Sequence, residues 1–574
     1  MTEVLRNGGD FLIRETDCGD IFTPGDFSDE HRQIAATTEQ FVADRIQPVN
    51  EAIETGDFEL VVAMMRECAE LGLMMIDAPE EYGGLELDKA TSMLVMEKMA
   101  FARNFGLTYM AHTGIGMLPL IYYGTADQKE RFLDRLTRAE LIGAYCLTEP
   151  GSGSDALGAK STATLSEDGE YYILSGTKQF STNSGFADLL TIFAKVDKVH
   201  FTAFLVERGT PGLSFGPEER KMGLHGSSTR QVILDKARVP VENLLGEVGR
   251  GHKIAFNVLN VGRFKLGALC VGQMKYALAE GARYANERRQ FNAPIASFGA
   301  IREKLADVTA LTFTSESVVY RLAGMIDARL ATLGRQAADY YTRYQQGIEE
   351  YAAECAMVKV FCSEAAARAI DEMLQVHGGY GYIAGHPIEQ LYRDERVQRI
   401  YEGTNEINRL LIPGLLLRKG IGTRAPHHLP EDAATADFAA EKRLLHGMKR
   451  IYSSLAGLVA QKFGTQAAGE QEILLTLADA VIEIFALESA VLRAEKASAA
   501  ATGSRQALYR AAALICAFRA RRQFIMAAEQ CAVYAEDDVL QASIDTALAY
   551  SGSGLLAAKR LLADATGEAE KYIF

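Results

Sequence analysis

What most constrains the fold of this chain is a double switch in hydrophobic period. From about residue 28 to 141 apolar side chains recur at helical spacing, opened by Ser28 as an N-cap with Asp29 and Glu30 in the first turn, and punctuated at Ala78-Pro79 and Gly83-Gly84. Between about 146 and 250 the texture becomes short β-rich runs, among them Tyr171-Tyr172-Ile173-Leu174, Leu189-Leu190-Thr191-Ile192-Phe193 and Val232-Ile233-Leu234, parted by Gly, Asp and Lys turns. From about 251 to 417 long apolar-periodic segments rich in Ala, Glu, Arg and Leu return and predict a helical bundle. A break at 418–431 carries Gly420, Gly422, Pro426 and Pro430, after which Leu444, Met448, Ile451, Leu455, Leu458 and Val459 mark a new amphipathic helix. No single core accommodates 574 residues patterned this way. The expectation is a mainly α chain with a central β domain, in four segments: 28–145 helical, 146–250 β, 251–417 a helical bundle, and 440–574 a C-terminal helical extension.

A formal net charge of -15 argues against a nucleic-acid partner, which needs a basic surface, and leaves small molecules or other proteins. The eight cysteines form no CxxC pair, so reduced thiols and a cytosol-like compartment are the natural reading. Glu3, Asp10, Glu15, Asp17 and Asp20 interrupt the first thirty residues, where no signal-length apolar core stands, so neither a secretory nor a mitochondrial presequence is expected. No run reaches the roughly 18 apolar residues of a membrane span. The apolar stretch 511–518 is flanked by Arg510, Arg519, Arg521 and Arg522; such a helix either rests on a membrane surface or, more commonly, packs inward with a solvated arginine face. Metal and hydrolase chemistry find little support. There is no HExxH, His427-His428 sits in a Pro-flanked linker, and Ser152 and Ser154 lack a GxSxG elbow, so no metal ligand set is assigned.

Three stretches carry candidate chemistry. Tyr401-Glu402-Gly403-Thr404-Asn405-Glu406-Ile407 places a carboxylate on a Gly-Thr turn before a helix, with Thr404 as N-cap and Ile407, Leu410 and Leu411 at helical spacing. Desolvation would raise the pKa of Glu402 and the helix dipole would lower it, so a carboxylate here can be tuned toward neutral pH. Leu147-Thr148-Glu149-Pro150-Gly151-Ser152-Gly153-Ser154-Asp155 stands at the helix-to-β boundary, where small residues admit close approach of a ligand. It lacks a full GxGxxG and a strand-helix-strand setting, which disfavours a Rossmann site. Lys178-Gln179-Phe180-Ser181-Thr182-Asn183 offers a ring and a hydroxyl at alternate positions on one strand face, suited to a flat heterocycle. Each stretch alone is equally a helix start, a turn, or a surface strand with one packed Phe.

In this order, and together with Arg288-Arg289-Gln290-Phe291 and Gln375 to Gly379, these stretches resemble the acyl-CoA dehydrogenase family over about residues 28 to 417. The resemblance implies a helical domain, a β-barrel-like domain and a helical bundle, with FAD held between domains and between subunits. It makes Glu402 the base that removes the α-proton of an acyl-CoA thioester while hydride leaves the β-carbon for flavin N5. The thioester oxygen would be polarised by the backbone N–H of the base and by a flavin ribityl hydroxyl. Tyr145, Leu147, Thr148 and Ser154 match positions along the flavin and the thioester end of the substrate. Phe180 and Thr182 match positions beside the isoalloxazine, where many relatives carry Trp; this chain has none. Arg288, Gln290 and Phe291 match the segment that reaches a neighbouring subunit's FAD, and Gln375, Gly378 and Gly379 the loop near its adenosine and pyrophosphate, which implies an oligomer. Asn292 replaces the Gly usual after that Phe, so a different turn is expected there. Thr404 and Glu406 follow the base toward the flavin. Arg263, with Asn260, matches the substrate-binding positions that also include Ser154, Glu402 and Gly403. Gly262 stands where some branches place the base, which leaves Glu402 as the candidate.

The extension beyond residue 420 is similar to that of the very-long-chain type, which forms dimers and in which the extension is linked to membrane association. Here it either touches the inner membrane surface peripherally or only replaces surface that a tetramer would bury. The implied activity is oxidation of long-chain acyl-CoA to trans-2-enoyl-CoA in fatty acid β-oxidation, with electrons passed to an electron-transfer flavoprotein. The alternatives are an acyl-CoA oxidase of related fold, against which the base position counts, and a non-catalytic scaffold, which would not need both Glu402 and the flavin-side residues.

Overall fold

A computed structural model describes residues 5–337, 339–421 and 437–574. The expected break is described only up to residue 421, and His427-His428 lie outside the described residues. The chain condenses into two compact units, one of residues 28–265 with 332–349, the other of residues 1–27, 266–331 and 350–574.

In the unit formed by 28–265 and 332–349, helix Asp29–Phe41 begins at Ser28, whose hydroxyl accepts from His31 N–H at 3.1 Å while the His31 ring returns a bond to Ser28 N–H. Helices Phe58–Glu70, Lys89–Met99, Asn104–Ala111 and Ala126–Thr137 follow. Met65, Met93 and Met99, with the ring of Phe105, fill their core. Charge is buried there as well. Asp77 accepts from Lys89 at 2.5 Å, Lys265 at 2.7 Å and Ser92 at 2.8 Å, and burial, which would raise its carboxyl pKa, is overridden by the two lysines, so the group stays well below the usual carboxylate range.

Residues 332–349, which the periodicity reading counted with the bundle, belong to this unit. Tyr344 packs on Tyr122 at 5.3 Å between ring centroids, and the Lys129 amine lies 3.3 Å from the centre of the Tyr341 ring. The intervening tyrosines, not an aliphatic period, attach this segment.

The sheet takes β1 (Gly143–Cys146), β2 (Thr162–Leu165), β3 (Tyr171–Thr182), β4 (Leu189–Val196), β5 (His200–Glu207), β6 (Leu213–Glu218), β7 (Thr229–Pro240) and β8 (Leu244–Leu245) in the order β6-β7-β3-β2-β4-β5-β8, with β1 parallel to the start of β4. Its inner face buries Ala163, Leu174, Ile192, Phe204, Val232 and Leu234, the period-two positions of the apolar runs. His112 ties the helices to β1. Its Nδ1 accepts from Gly143 N–H and its Nε2–H donates to the Leu136 carbonyl, each at 3.0 Å, which fixes the neutral tautomer.

Burial lowers the His112 pKa from 6.5 to about 4. Because the folded value lies below the unfolded one, the unfolded chain takes up the proton first as pH falls. The contribution of His112 is therefore complete above about pH 6.5 and is lost progressively toward pH 4, on the order of 3 kcal/mol in all. The thermal midpoint is expected to drop across that window. His112→Gln should flatten this part of the profile, and an unchanged slope would discount the linkage.

In the unit formed by 1–27, 266–331 and 350–574, helices Gly299–Leu330, Ala352–His377 and Asn405–Arg418 pack with extension helices Ala439–Phe463, Gln471–Ala500, Ser504–Tyr534 and Leu555–Ala569. Helix Gly251–Glu287 is long and apolar enough to cross a membrane, but 83% of its apolar window is buried, as in a core helix. Glu316 is a buried node: it accepts from Lys275 at 2.5 Å, Arg493 at 2.6 Å and Tyr572 at 2.6 Å. Close by, Phe574 lies 4.7 Å from Phe313 between centroids.

The sequence reading started its helices at residue 28 and missed what precedes them. Phe11 and Leu12 are buried, Phe11 against Phe485 at 5.0 Å between centroids, and the Gly8 and Gly9 N–H groups donate to Glu350 and Glu354 at 3.0 and 2.6 Å. The stretch 511–518 also resolves. Ala511, Ala512, Ala513, Ile515 and Cys516 are buried, while Arg510, Arg519 and Arg521 pair with Asp437, Glu483 and Asp545. This is the packed helix, with its apolar face taken up inside the protein.

Candidate active site

The flavin-side candidates of the first unit gather around the end of β1 and the end of β3. Tyr145 is buried on β1, its hydroxyl donating to the Ala255 carbonyl at 3.4 Å and its ring set edge-on to Phe193 at 5.1 Å. The chain then runs beside β3, where Gln179 N–H donates to the Thr148 carbonyl at 2.8 Å. Glu149, buried, closes the Pro150-Gly151 turn by backbone bonds to Ser152 at 2.9 and 3.1 Å, and its carboxylate accepts from Lys178 at 2.6 Å and from Lys160 N–H at 2.6 Å. This buried pair welds the loop to the strand. Leu147 and Thr148 are left half-buried and Ser154 exposed, and a Cβ added at Gly151 or Gly153 would meet nothing within 4 Å.

On β3 the register against β7 shifts between Lys178 and Ser181. At this bulge Phe180 adopts a left-handed φ of 57° and is 60% exposed, while Lys178 and Ser181 turn inward and Thr182 is half-buried. A bulky residue in that region of φ/ψ is strained, and bulges re-aim side chains beside functional sites. The sequence reading put Phe180 and Thr182 at alternate positions on one strand face, and strict alternation would have sent Lys178, which is buried, with them. Asn260 and Arg263 lie buried in helix Gly251–Glu287, Arg263 Nη1 donating to Asn260 Oδ1 at 3.0 Å.

In the second unit Glu402 and Gly403 both have left-handed φ, 57° and 81°, and Thr404 caps the next helix by accepting from Ile407 N–H at 3.2 Å. For Gly403 the conformation is easy; for Glu402 it is strained and must be held from outside. The holding groups are Lys359, fully buried on helix Ala352–His377, and Asn408, each donating to the Gly403 carbonyl at 2.8 Å. Lys359 also donates to Asn405 Oδ1 at 2.6 Å. Glu402 itself is half-buried, its Oε2 shielded from solvent. The side chains turned inward by the following helix are Asn405, Asn408, Ile412 and Leu416, while Ile407 is 37% exposed. Lys359, Asn405 and Asn408 escaped sequence reasoning because polar residues within a helical period read as solvent-facing. Glu406 is exposed.

Arg288 ends helix Gly251–Glu287 beside a cavity of about 450 Å³ lined by Tyr284, His377, Tyr380 and His386. His377 and Tyr380 flank Gly378 and Gly379, and Gly378 has a φ of 57° with open space beyond its Cα. Gln375 and Gln290 are exposed. Phe291 and Asn292, with φ of 50° and 63°, form a two-residue hairpin turn between Arg289–Gln290 and Ala293–Pro294. Asn tolerates this conformation, and Phe291 stands at the tip of the turn, 90% exposed.

Family models for the N-terminal, middle and C-terminal domains of acyl-CoA dehydrogenase match residues 28–140, 144–237 and 249–414, and a further acyl-CoA dehydrogenase C-terminal domain model matches 447–544. A probable acyl-CoA dehydrogenase of Bacillus subtilis (strain 168) is 46% identical over 509 residues, 86% of either chain. The chain belongs to the acyl-CoA dehydrogenase family. The human mitochondrial very long-chain specific acyl-CoA dehydrogenase is 32% identical over 515 residues, covering 82% of this chain and 76% of that one. A Bacillus anthracis acyl-CoA dehydrogenase complexed with FAD superposes with a TM-score of 0.96 at 43% identity, over 99% of this chain and all of the other.

This acyl-CoA dehydrogenase is accordingly an FAD-dependent oxidoreductase of fatty acid metabolism that binds acyl-CoA. Its own residues fit the cofactor. An exposed ring on a strained bulge, half-exposed Thr148 and Thr182 beside it, and a Gly-Ser loop open to close approach suit a flat heterocycle with polar edges.

Proposed function

We propose that the enzyme oxidises long-chain acyl-CoA to trans-2-enoyl-CoA in β-oxidation, with Glu402 as the base that takes the α-proton. The observation that carries this reading is the Glu402-Gly403 turn: a strained carboxylate position held by the buried Lys359 ammonium and by Asn408. Strain held from outside marks functional positions, and a general base must be fixed within reach of one proton. Arg263 and Asn260 orient the CoA end of the substrate, and the Phe180 ring with Thr182 packs beside the flavin. FAD, when bound, supplies the acceptor for the β-hydride. Glu402 holds the abstracted proton on its carboxylate, and its backbone N–H polarises the thioester oxygen.

Preference for long chains is supported by the extension, which the human very long-chain enzyme shares over the aligned length. Electrons pass to an electron-transfer flavoprotein, as the family resemblance implies. The eight free cysteines suit a reducing, cytoplasmic setting. The working unit is a homodimer in which the hairpin of Arg288, Gln290 and Phe291 meets the partner's FAD together with Gln375, Gly378 and Gly379.

Anaerobic titration with palmitoyl-CoA tests the reading. Bleaching of the visible flavin band, slow reoxidation in air and fast reoxidation by an electron-transfer flavoprotein are expected. Prompt reoxidation by air would make the enzyme an oxidase, and the absence of bleaching would leave a scaffold. Phe291→Ala tests the hairpin. The side chain is almost fully exposed, so the thermal midpoint of the isolated subunit should move by no more than about 0.5 kcal/mol equivalent, whereas FAD retention through gel filtration should fall. Unchanged retention would remove Phe291 from the cofactor site.

A further inference from the structure

We infer that Asp479, on helix Gln471–Ala500 of the C-terminal extension, is a positioning residue for the Glu402 turn, acting through Arg409, Glu364 and Asn405. The inference rests on the reading of Glu402 as the base. Arg409, in the helix that the turn opens, donates from Nε to Asp479 Oδ1 at 2.7 Å and from Nη1 and Nη2 to the two Glu364 oxygens at 2.6 and 2.8 Å. The guanidinium is planar, so two acceptors on one edge and a third on Nε leave it a single orientation.

Glu364 Oε1 also accepts from Asn405 Nδ2 at 3.0 Å, a bond that fixes which end of the Asn405 amide faces helix Ala352–His377. The opposite end, Oδ1, accepts from Lys359 at 2.6 Å, and the same ammonium donates to the Gly403 carbonyl at 2.8 Å. The chain of contacts thus runs from a carboxylate of the extension to the backbone of the residue after the base. Glu402 holds its left-handed φ of 57° against local preference, so the angle at which its carboxylate is presented depends on those anchors.

Asp479 and Glu364 are each partly solvated, at 43% and 42% side-chain exposure. A half-exposed ion pair contributes little to global stability. Its loss should therefore be felt in geometry at the turn rather than in unfolding, and that separates positioning from a general structural role.

The test compares Asp479→Ala, Asp479→Glu and the parent holoenzyme. Expected for Asp479→Ala is a fall in kcat of about tenfold, the scale of a small misplacement of a reacting group. KM for acyl-CoA, FAD content and thermal midpoint should stay near parental values, and amide hydrogen exchange should accelerate in peptides spanning 400–410. Asp479→Glu should restore most of the loss. A parental kcat in Asp479→Ala, or faster exchange confined to 471–500, would overturn the inference, as would loss of kcat, FAD and thermal stability together. Glu402→Gln measured in parallel separates the two readings. If it loses turnover while Asp479→Ala does not, only the positioning role fails; if it turns over normally, the base itself has been misassigned.

Discussion

Glu402→Gln is expected to bind FAD and acyl-CoA as the parent does while losing turnover by about 100-fold or more, the range that a positioned general base contributes. Gln nearly preserves the shape of the side chain and leaves the backbone N–H in place, so polarisation of the thioester oxygen should survive and KM should change little. The anchors of the turn, Lys359 and Asn408, both bond the Gly403 main-chain carbonyl, which the substitution leaves in place, so the turn is expected to hold. Rapid mixing with palmitoyl-CoA under anaerobic conditions would read the chemical step directly as flavin bleaching. A variant that still bleaches at the parental rate would send the search for the base elsewhere.

The second large effect is one of stability. Glu316→Gln removes a single carboxylate oxygen and leaves Lys275 and Arg493 facing each other in a buried site. Breaking one side of a buried ion cluster costs about 3–5 kcal/mol, because an uncompensated charge stays behind. Burial alone would raise the Glu316 pKa, but Arg493 and Lys275 bring it down to about 2, so the group is ionised throughout the useful range and the penalty should be independent of pH above about 4. Differential scanning calorimetry should show a midpoint lowered by about 3–4 °C. Limited proteolysis should open the extension first, since Arg493 and Tyr572 both belong to it. A midpoint within a degree of the parent would mean that the cluster relaxes without loss.

Much of this was legible in the sequence wherever the determinants are local. Ser28 and Thr404 cap helices as their positions predict, because an N-cap hydroxyl needs only the amide three residues on. The β runs at 171–174, 189–193 and 232–234 all lie within strands, and Leu444, Met448, Ile451, Leu455 and Val459 all face inward. What stayed hidden depends on partners distant in sequence. The bulge at Phe180 follows from its pairing with β7, not from its neighbours. Asn405 points inward because Lys359 and Ser363, some forty residues earlier, bond its amide, and Asn408 turns in to the Gly403 carbonyl that Lys359 also holds. The docking of 332–349 through Tyr341 and Tyr344 is a matter of rings meeting Lys129 and Tyr122, and no period along 251–417 announces it.

The interleaving of the two units constrains how the protein can be made. Residues 5–27 are synthesised well before their partners, for Phe11 finds its place against Phe485 and Gly9 against Glu354. Synthesis of several hundred residues separates those partners. The unit that carries Glu402 therefore cannot close cotranslationally from its N-terminal end, and Phe11 and Leu12 must be shielded by other means until the helices around 350–500 exist. The same order of events forbids dissecting the enzyme into consecutive fragments. A chain ending near residue 420 would strand Phe11 without the Phe485 ring it packs on.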